Sequence, residues 1–127
     1  MAARVSIAGV GEKFLKNNEA HRLIRYEIYQ LPAGHPDAFL GLFPRHGQRI
    51  YVKRTGYELV YAGKTETAAP PGEFLDILER IFVKFNLKPP VDYRGRSLGV
   101  SDIISLNGQP FFYDNFGWFQ VLWQEEH

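Results

Sequence analysis

The 127-residue chain contains no cysteine and a single methionine. Disulfides, thiolate catalysis and cysteine-ligated zinc are therefore excluded. Charge of one sign is also lacking: 15 Lys and Arg against 14 Asp and Glu leave a net charge of +1. Overall charge thus selects neither nucleic acid nor an anionic membrane surface as a partner. No apolar run approaches the ~20 residues of a membrane span. The opening MAARVSIAGVGEKFLKN has no long apolar segment of the kind a secretory leader carries, and Glu12 interrupts it. One cytoplasmic domain without a cofactor is the resulting expectation. What the chain does have is rings: 15% of residues are Phe, Trp or Tyr, enough to build much of a core from aromatics.

The hydrophobic pattern points to strands and one helix. LIRYEIYQL, residues 23–31, alternates, with Ile24, Tyr26 and Ile28 on one face and Arg25 and Glu27 on the other. AFLGLFP, residues 38–44, is a second apolar run, stopped by Pro44. YELVYAG, residues 57–63, reads as a strand, and KTETAAPPG as the loop after it. EFLDILERIFVKFN, residues 73–86, places Phe74, Leu75, Ile77, Leu78, Ile81, Phe82 and Phe85 on one helical stripe. Asp76 and Arg80 fall at i,i+4 on its wet face. VSDIISL, residues 100–106, reads as a strand that Asn107-Gly108 turns into a hairpin with GQPFFYD. NFGWFQVLW then runs on as one further strand. Residues 1–20 read as a short strand or as a mobile, loosely attached arm within the same domain. The expected fold is α+β: a mainly antiparallel, curved sheet with one long amphipathic helix packed on it. Closure into a partly closed barrel is left open.

Three features carry a family resemblance: the tyrosine-rich strand Tyr57 to Tyr61; the helix ending in Phe85-Asn86 before a proline-containing loop; and the run from Arg96-Ser97-Leu98 through Val100-Ser101-Asp102-Ile103-Ile104, closed by Tyr113-Asp114 and Phe116-Gly117-Trp118. With these the C-terminal two thirds, and more loosely YEIYQL, resembles the YodL-like domain of conjugative-element and phage polyvalent proteins. The chain departs from that pattern at Gly99, where serine is usual, and at Trp118, where phenylalanine is. The resemblance implies a setting, mobile DNA and its conflict with host defence. It implies no catalytic residue.

Ser97, Ser101 and Asp102 are the first candidates for chemistry. A hydrolase would need a base and a nucleophile elbow beside them, and neither is present in the sequence nearby. Their favoured reading is a structural turn, in which Ser and Asp side chains hold backbone N–H groups as the loop tightens into a strand. His21, His35, His46 and His127 show no metal-ligand spacing. No catalytic or metal site is therefore expected. The better lead is Arg45, Arg49, Tyr51, Lys53 and Arg54, four cations without an acid and one ring among them. Arg94 and Arg96 could join that patch, and Trp118 could bring a ring to it. These eight residues are the expected partner-binding set.

The expected function is that of a non-enzymatic mobile-element protein. It would bind and inhibit a host defence nuclease of the CRISPR or restriction type, as a monomer or dimer without a membrane partner. A nucleic-acid-binding accessory module is the alternative, and an enzyme of unknown reaction the weakest reading.

Overall fold

In the computed structural model, residues 21–42, 47–70 and 72–124 are described. The N-terminal arm, Arg45, His46 and His127 lie outside them. In chain order the elements are β1 (Arg22–Gln30), β2 (Tyr51–Lys53), β3 (Glu58–Thr67), α1 (Leu75–Leu87), β4 (Ile103–Leu106), β5 (Gln109–Asp114), β6 (Gly117–Gln120) and β7 (Leu122–Gln124). Five strands form one sheet in the order β3-β1-β4-β5-β6, with every neighbouring pair antiparallel. β3 and β6 are its two ends, so the sheet is open and not closed into a barrel. β2 and β7 form a separate parallel pair. The fold is α+β.

The alternation in β1 sorts the molecule into two layers. Ile24, Tyr26 and Ile28 point to α1 and meet Ile77, Leu78, Ile81 and Phe85 there, with Ile104, Leu106 and Phe111 from the neighbouring strands. The opposite face carries a smaller cluster of Tyr29, Ile103, Phe112 and Val121, capped by Ile50, Val52, Tyr57 and Trp123. The two-stranded piece thus covers one end of the face that the helix leaves bare. Ring geometry locks the first layer: Phe85 meets Tyr26, Tyr61 and Tyr93 edge-on, at 5.0–6.1 Å between centroids.

The Asn107-Gly108 turn closes β4 onto β5, and both residues have positive φ, as a type I′ turn requires. Asn107 also extends the sheet sideways. Its Oδ1 accepts the Arg25 N–H at 2.9 Å, and its own N–H donates to the Arg25 carbonyl at 2.7 Å.

The structure corrects several boundaries. Lys64–Thr67, expected in a loop, continues β3 and pairs with Arg22–Arg25. Their alternation was hidden because Thr65 and Thr67, the inward pair, are polar. The expected single strand from residue 117 breaks at Val121, where the chain leaves the main sheet to pair with β2. The helix begins at Leu75, not 73. Leu75 is 63% exposed, because it sits about 100° round the helix from the centre of the buried stripe. Arg80 donates to the Glu66 carbonyl on β3 at 3.2 Å. The apolar run from residue 38 forms no strand in its described part, and Phe39, Leu40 and Leu42 are exposed. Among the described residues, no helix is long and apolar enough to cross a membrane.

Phe85 joins both strands and loop to the helix. Phe85→Ala should therefore cost about 3–5 kcal/mol in chemical denaturation, while Val83→Ala on the wet face of the same helix should stay within about 0.5 kcal/mol.

Candidate functional site

The segment from Arg96 to Asp102 folds into a buried polar knot. Asp102 is 1% exposed. Its Oδ2 accepts the Gly99 N–H at 2.8 Å and the Gln30 side-chain amide at 3.1 Å. Its Oδ1 faces Nη2 of Arg96 at 3.3 Å. Gln30 in turn clasps the Arg96 backbone, accepting its N–H at 3.0 Å and donating to its carbonyl at 3.1 Å. Arg96 also donates through Nη1 to the Leu31 carbonyl at 2.8 Å, and its guanidinium lies 4.7 Å over the Phe39 ring. A Cβ at Gly95 would collide with Gln30 and Tyr93, so only glycine admits this close approach. Asn86 ties the same loop to the helix, accepting the Leu98 N–H at 2.6 Å and donating to its carbonyl at 3.2 Å.

Ser101 sits at φ 83°, a conformation that costs a non-glycine residue roughly 1–3 kcal/mol. Its surroundings over-determine it. Its N–H donates to the Tyr113 carbonyl at 3.0 Å, its carbonyl accepts the Tyr57 hydroxyl at 2.6 Å, and its Oγ accepts the Phe39 N–H at 2.9 Å. Asp114, fully buried, accepts the Leu42 N–H at 3.0 Å and the Asn115 N–H at 2.6 Å. Gly41 passes so close to the Asp114 carboxylate that a Cβ would overlap it. Arg96, Ser101 and Asp114 thus staple the loop 39–42 in place, and that loop turns Leu40 and Leu42 outward.

Between this loop and β2 lies a groove of about 520 Å³, lined by Leu40, Leu42, Tyr51, Lys53, Tyr57 and His35, among others. Leu40 is 57% and Tyr51 55% exposed. Its histidine and Tyr57 already have backbone partners. The His35 Nδ1 accepts the Asp37 N–H at 3.0 Å, and the Tyr57 hydroxyl serves Ser101. Burial raises the Tyr57 phenol well above its ordinary value, with the Asp102 charge adding to the shift, so it is a hydrogen-bond donor and not a base.

The expected partner-binding residues that are described fall into four groups. Arg49, Tyr51 and Lys53 lie together on the exposed stretch entering and forming β2. Arg54 donates to the Tyr29 hydroxyl at 3.2 Å, and its guanidinium stacks 4.6 Å from the Tyr29 ring and 5.1 Å from that of Trp123. Arg96 is drawn into the Asp102 knot, while the Arg94 residue is exposed and its N–H donates to the Val60 carbonyl of β3 at 3.4 Å. Trp118 packs on the helix side of the sheet, against Phe82 and Tyr113, and donates to Glu79 at 2.6 Å. It is therefore on the opposite face from Tyr51 and Lys53. Ser97 is exposed; Ser101 and Asp102 hold the turn. Sequence reasoning missed Leu40 and Leu42, whose only signal was an apolar run interrupted by Gly41. Among the described residues, no three His, Asp or Glu side chains gather in a way that could hold a metal.

A family model, that of the YodL-like domain, matches residues 25–123. The chain belongs to the YodL-like domain family. The match begins on β1, so the strand that supplies Gln30 is part of the YodL-like unit and not an attachment to it. No curated protein and no solved structure matches the chain. Among the residues that carried the resemblance, Tyr57, Asn86, Arg96, Ser101, Asp102 and Asp114 form the knot and its staples.

Burial raises the Asp102 carboxyl from 3.8 to about 6, against the opposing pull of the Gly99 N–H, Gln30 and Arg96. The folded chain therefore holds this proton more tightly than the unfolded one between about pH 4 and 6. Stability contributed by Asp102 is full below that window, declines as pH rises through it, and is level above. Denaturant unfolding of the wild type and Asp102→Asn should show the advantage of the wild type shrinking by about 2 kcal/mol between pH 4.5 and 7. A difference that stays flat or grows with pH contradicts the assignment.

Proposed function

We propose that this YodL-like chain is a non-enzymatic, protein-binding domain of a mobile element, and that it acts by occupying a host defence nuclease of the CRISPR or restriction type. The observation that carries the binding reading is the groove beside β2. Leu40, Leu42 and Tyr51 are exposed together there, with Lys53 at the rim. Exposed apolar side chains grouped on a rigid frame are what a partner surface needs. The frame here is the set of buried hydrogen bonds from Ser101 and Asp114 to the loop. A mobile apolar loop would lose binding energy to ordering; a stapled one does not. The same groove suits catalysis poorly, since its histidine and tyrosine are already committed to backbone partners. The resemblance to domains of conjugative-element and phage proteins is what supports the mobile-element setting of the proposal.

A nucleic-acid reading keeps some support from Tyr51, exposed between Arg49 and Lys53. The two readings separate by mutation. Leu40→Asp with Leu42→Asp removes the apolar anchors, and Arg49→Glu with Lys53→Glu removes the cations.

The test is phage plating on bacteria that carry a panel of restriction and CRISPR systems, with and without the chain. The chain is expected to restore plating against at least one system. The Leu40, Leu42 double variant should lose at least tenfold of that protection, as the loss of two anchors of about 1 kcal/mol each implies, while keeping its circular dichroism and melting temperature. Protection against none of the systems defeats the anti-defence role. Salt-sensitive oligonucleotide binding that the Arg49, Lys53 reversal abolishes and the leucine changes spare moves the function to nucleic acid.

A further inference from the structure

A second surface lies on the helix side of the sheet, where β6 ends it. Among the described residues no strand pairs with the outer edge of β6, so its outward N–H and C=O groups form a template for an added strand. Beside that edge runs a groove of about 810 Å³ between β6 and the start of α1. Its floor is apolar, formed by Phe74, Leu78, Phe111 and Trp118. Every charged residue lining it is an acid: Glu73, Asp76 and Glu79. The helix dipole explains an acid in the first turn, which is Asp76. It does not explain Glu79 in the second turn, and it leaves all three carboxylates together on one groove. Glu79 accepts the Trp118 indole N–H at 2.6 Å and so fixes that ring in the floor.

We infer that this edge binds an extended cationic peptide segment of a partner protein by strand addition to β6. The pairing rules give its side-chain pattern. Trp118 and Gln120 face the groove, while Phe119, opposite Phe112, faces the other layer. A strand laid on β6 alternates in the same way. Every second side chain enters the groove, where an arginine lays its stem on the rings and its guanidinium at the carboxylates. The side chains between them sit beside Phe119 and are apolar. The occupant is therefore a segment alternating arginine or lysine with valine-like residues, recognised through its backbone and its charge together. This site lies on the opposite face from the groove at Leu40 and Tyr51, and does not depend on the function proposed for that groove.

The probe is a fluorescently labelled peptide alternating arginine and valine, followed by anisotropy at low salt against the full chain. The wild type should bind it. The same peptide with glutamate for arginine should not bind, and N-methylation of alternate backbone amides should weaken binding at least tenfold. Glu73→Lys with Asp76→Lys should weaken it at least tenfold while preserving the circular dichroism spectrum; both side chains are exposed, and Glu79 is left to hold Trp118. Leu40→Asp with Leu42→Asp should leave binding unchanged. Absence of binding overturns the inference, as does binding indifferent to the charge reversal or to N-methylation. A wild-type dimer in sedimentation that the Glu73, Asp76 reversal splits assigns the groove to a second copy of the chain and overturns it equally.

Discussion

The carboxylate of Asp102 is the point on which the arrangement turns. It is nearly sealed from solvent and faces donors from three places in the chain: the turn at Gly99, the last residue of β1, and Arg96. An enclosed charge must be answered by donors or it destabilises the fold. Satisfying it brings Gln30 and Arg96 into contact although they stand far apart in sequence, and Arg96 then reaches Leu31 and Phe39. The position of the loop after β1 follows from that chain of hydrogen bonds and not from any apolar core of its own.

Such a network has a consequence for what the surface can do. Loops are ordinarily the mobile parts of a domain. Here Ser101 and Asp114, buried side chains at the two ends of the β4–β5 hairpin, hold the backbone of the loop carrying Leu40 and Leu42. The strained φ of Ser101 is retained where its N–H, carbonyl and hydroxyl are all in use. Polar residues that resemble catalytic groups thus act on the backbone, and the apolar side chains of Leu40 and Leu42 are held on the outside. The two sides of the sheet differ correspondingly: one carries a groove with a basic strand beside it, the other a groove rimmed by acids at an open strand edge.

Much of this was readable before the fold was known. The 3.6-residue stripe of α1, the alternation of β1 and the Asn107-Gly108 hairpin are local patterns, and each corresponds to an element in the structure. Errors arose where local pattern and tertiary role part company. Thr65 and Thr67 occupy inward positions without being apolar. Phe39 and Leu40 are apolar without being inward, because the hydrogen bonds to Ser101 and Asp114 dictate their backbone. The stretch from residue 117 looked continuous, since nothing in its composition marks Val121 as the point where one sheet hands over to another.

By itself, then, the amino-acid order determined the main element types, the α+β class and the family, because these rest on periodicity, turn residues and a motif that are all short-range, while the openness of the sheet came only with its strand order. Tertiary structure alone decided which polar residues would meet and which apolar ones would stay outside. Gln30 and Asp102 are 72 positions apart, and Trp118 and Tyr51, both rings expected at one surface, end on opposite faces of a sheet whose strand order no local signal encodes. Side-chain chemistry can be read from a sequence; the company each side chain keeps depends on which strands lie next to each other.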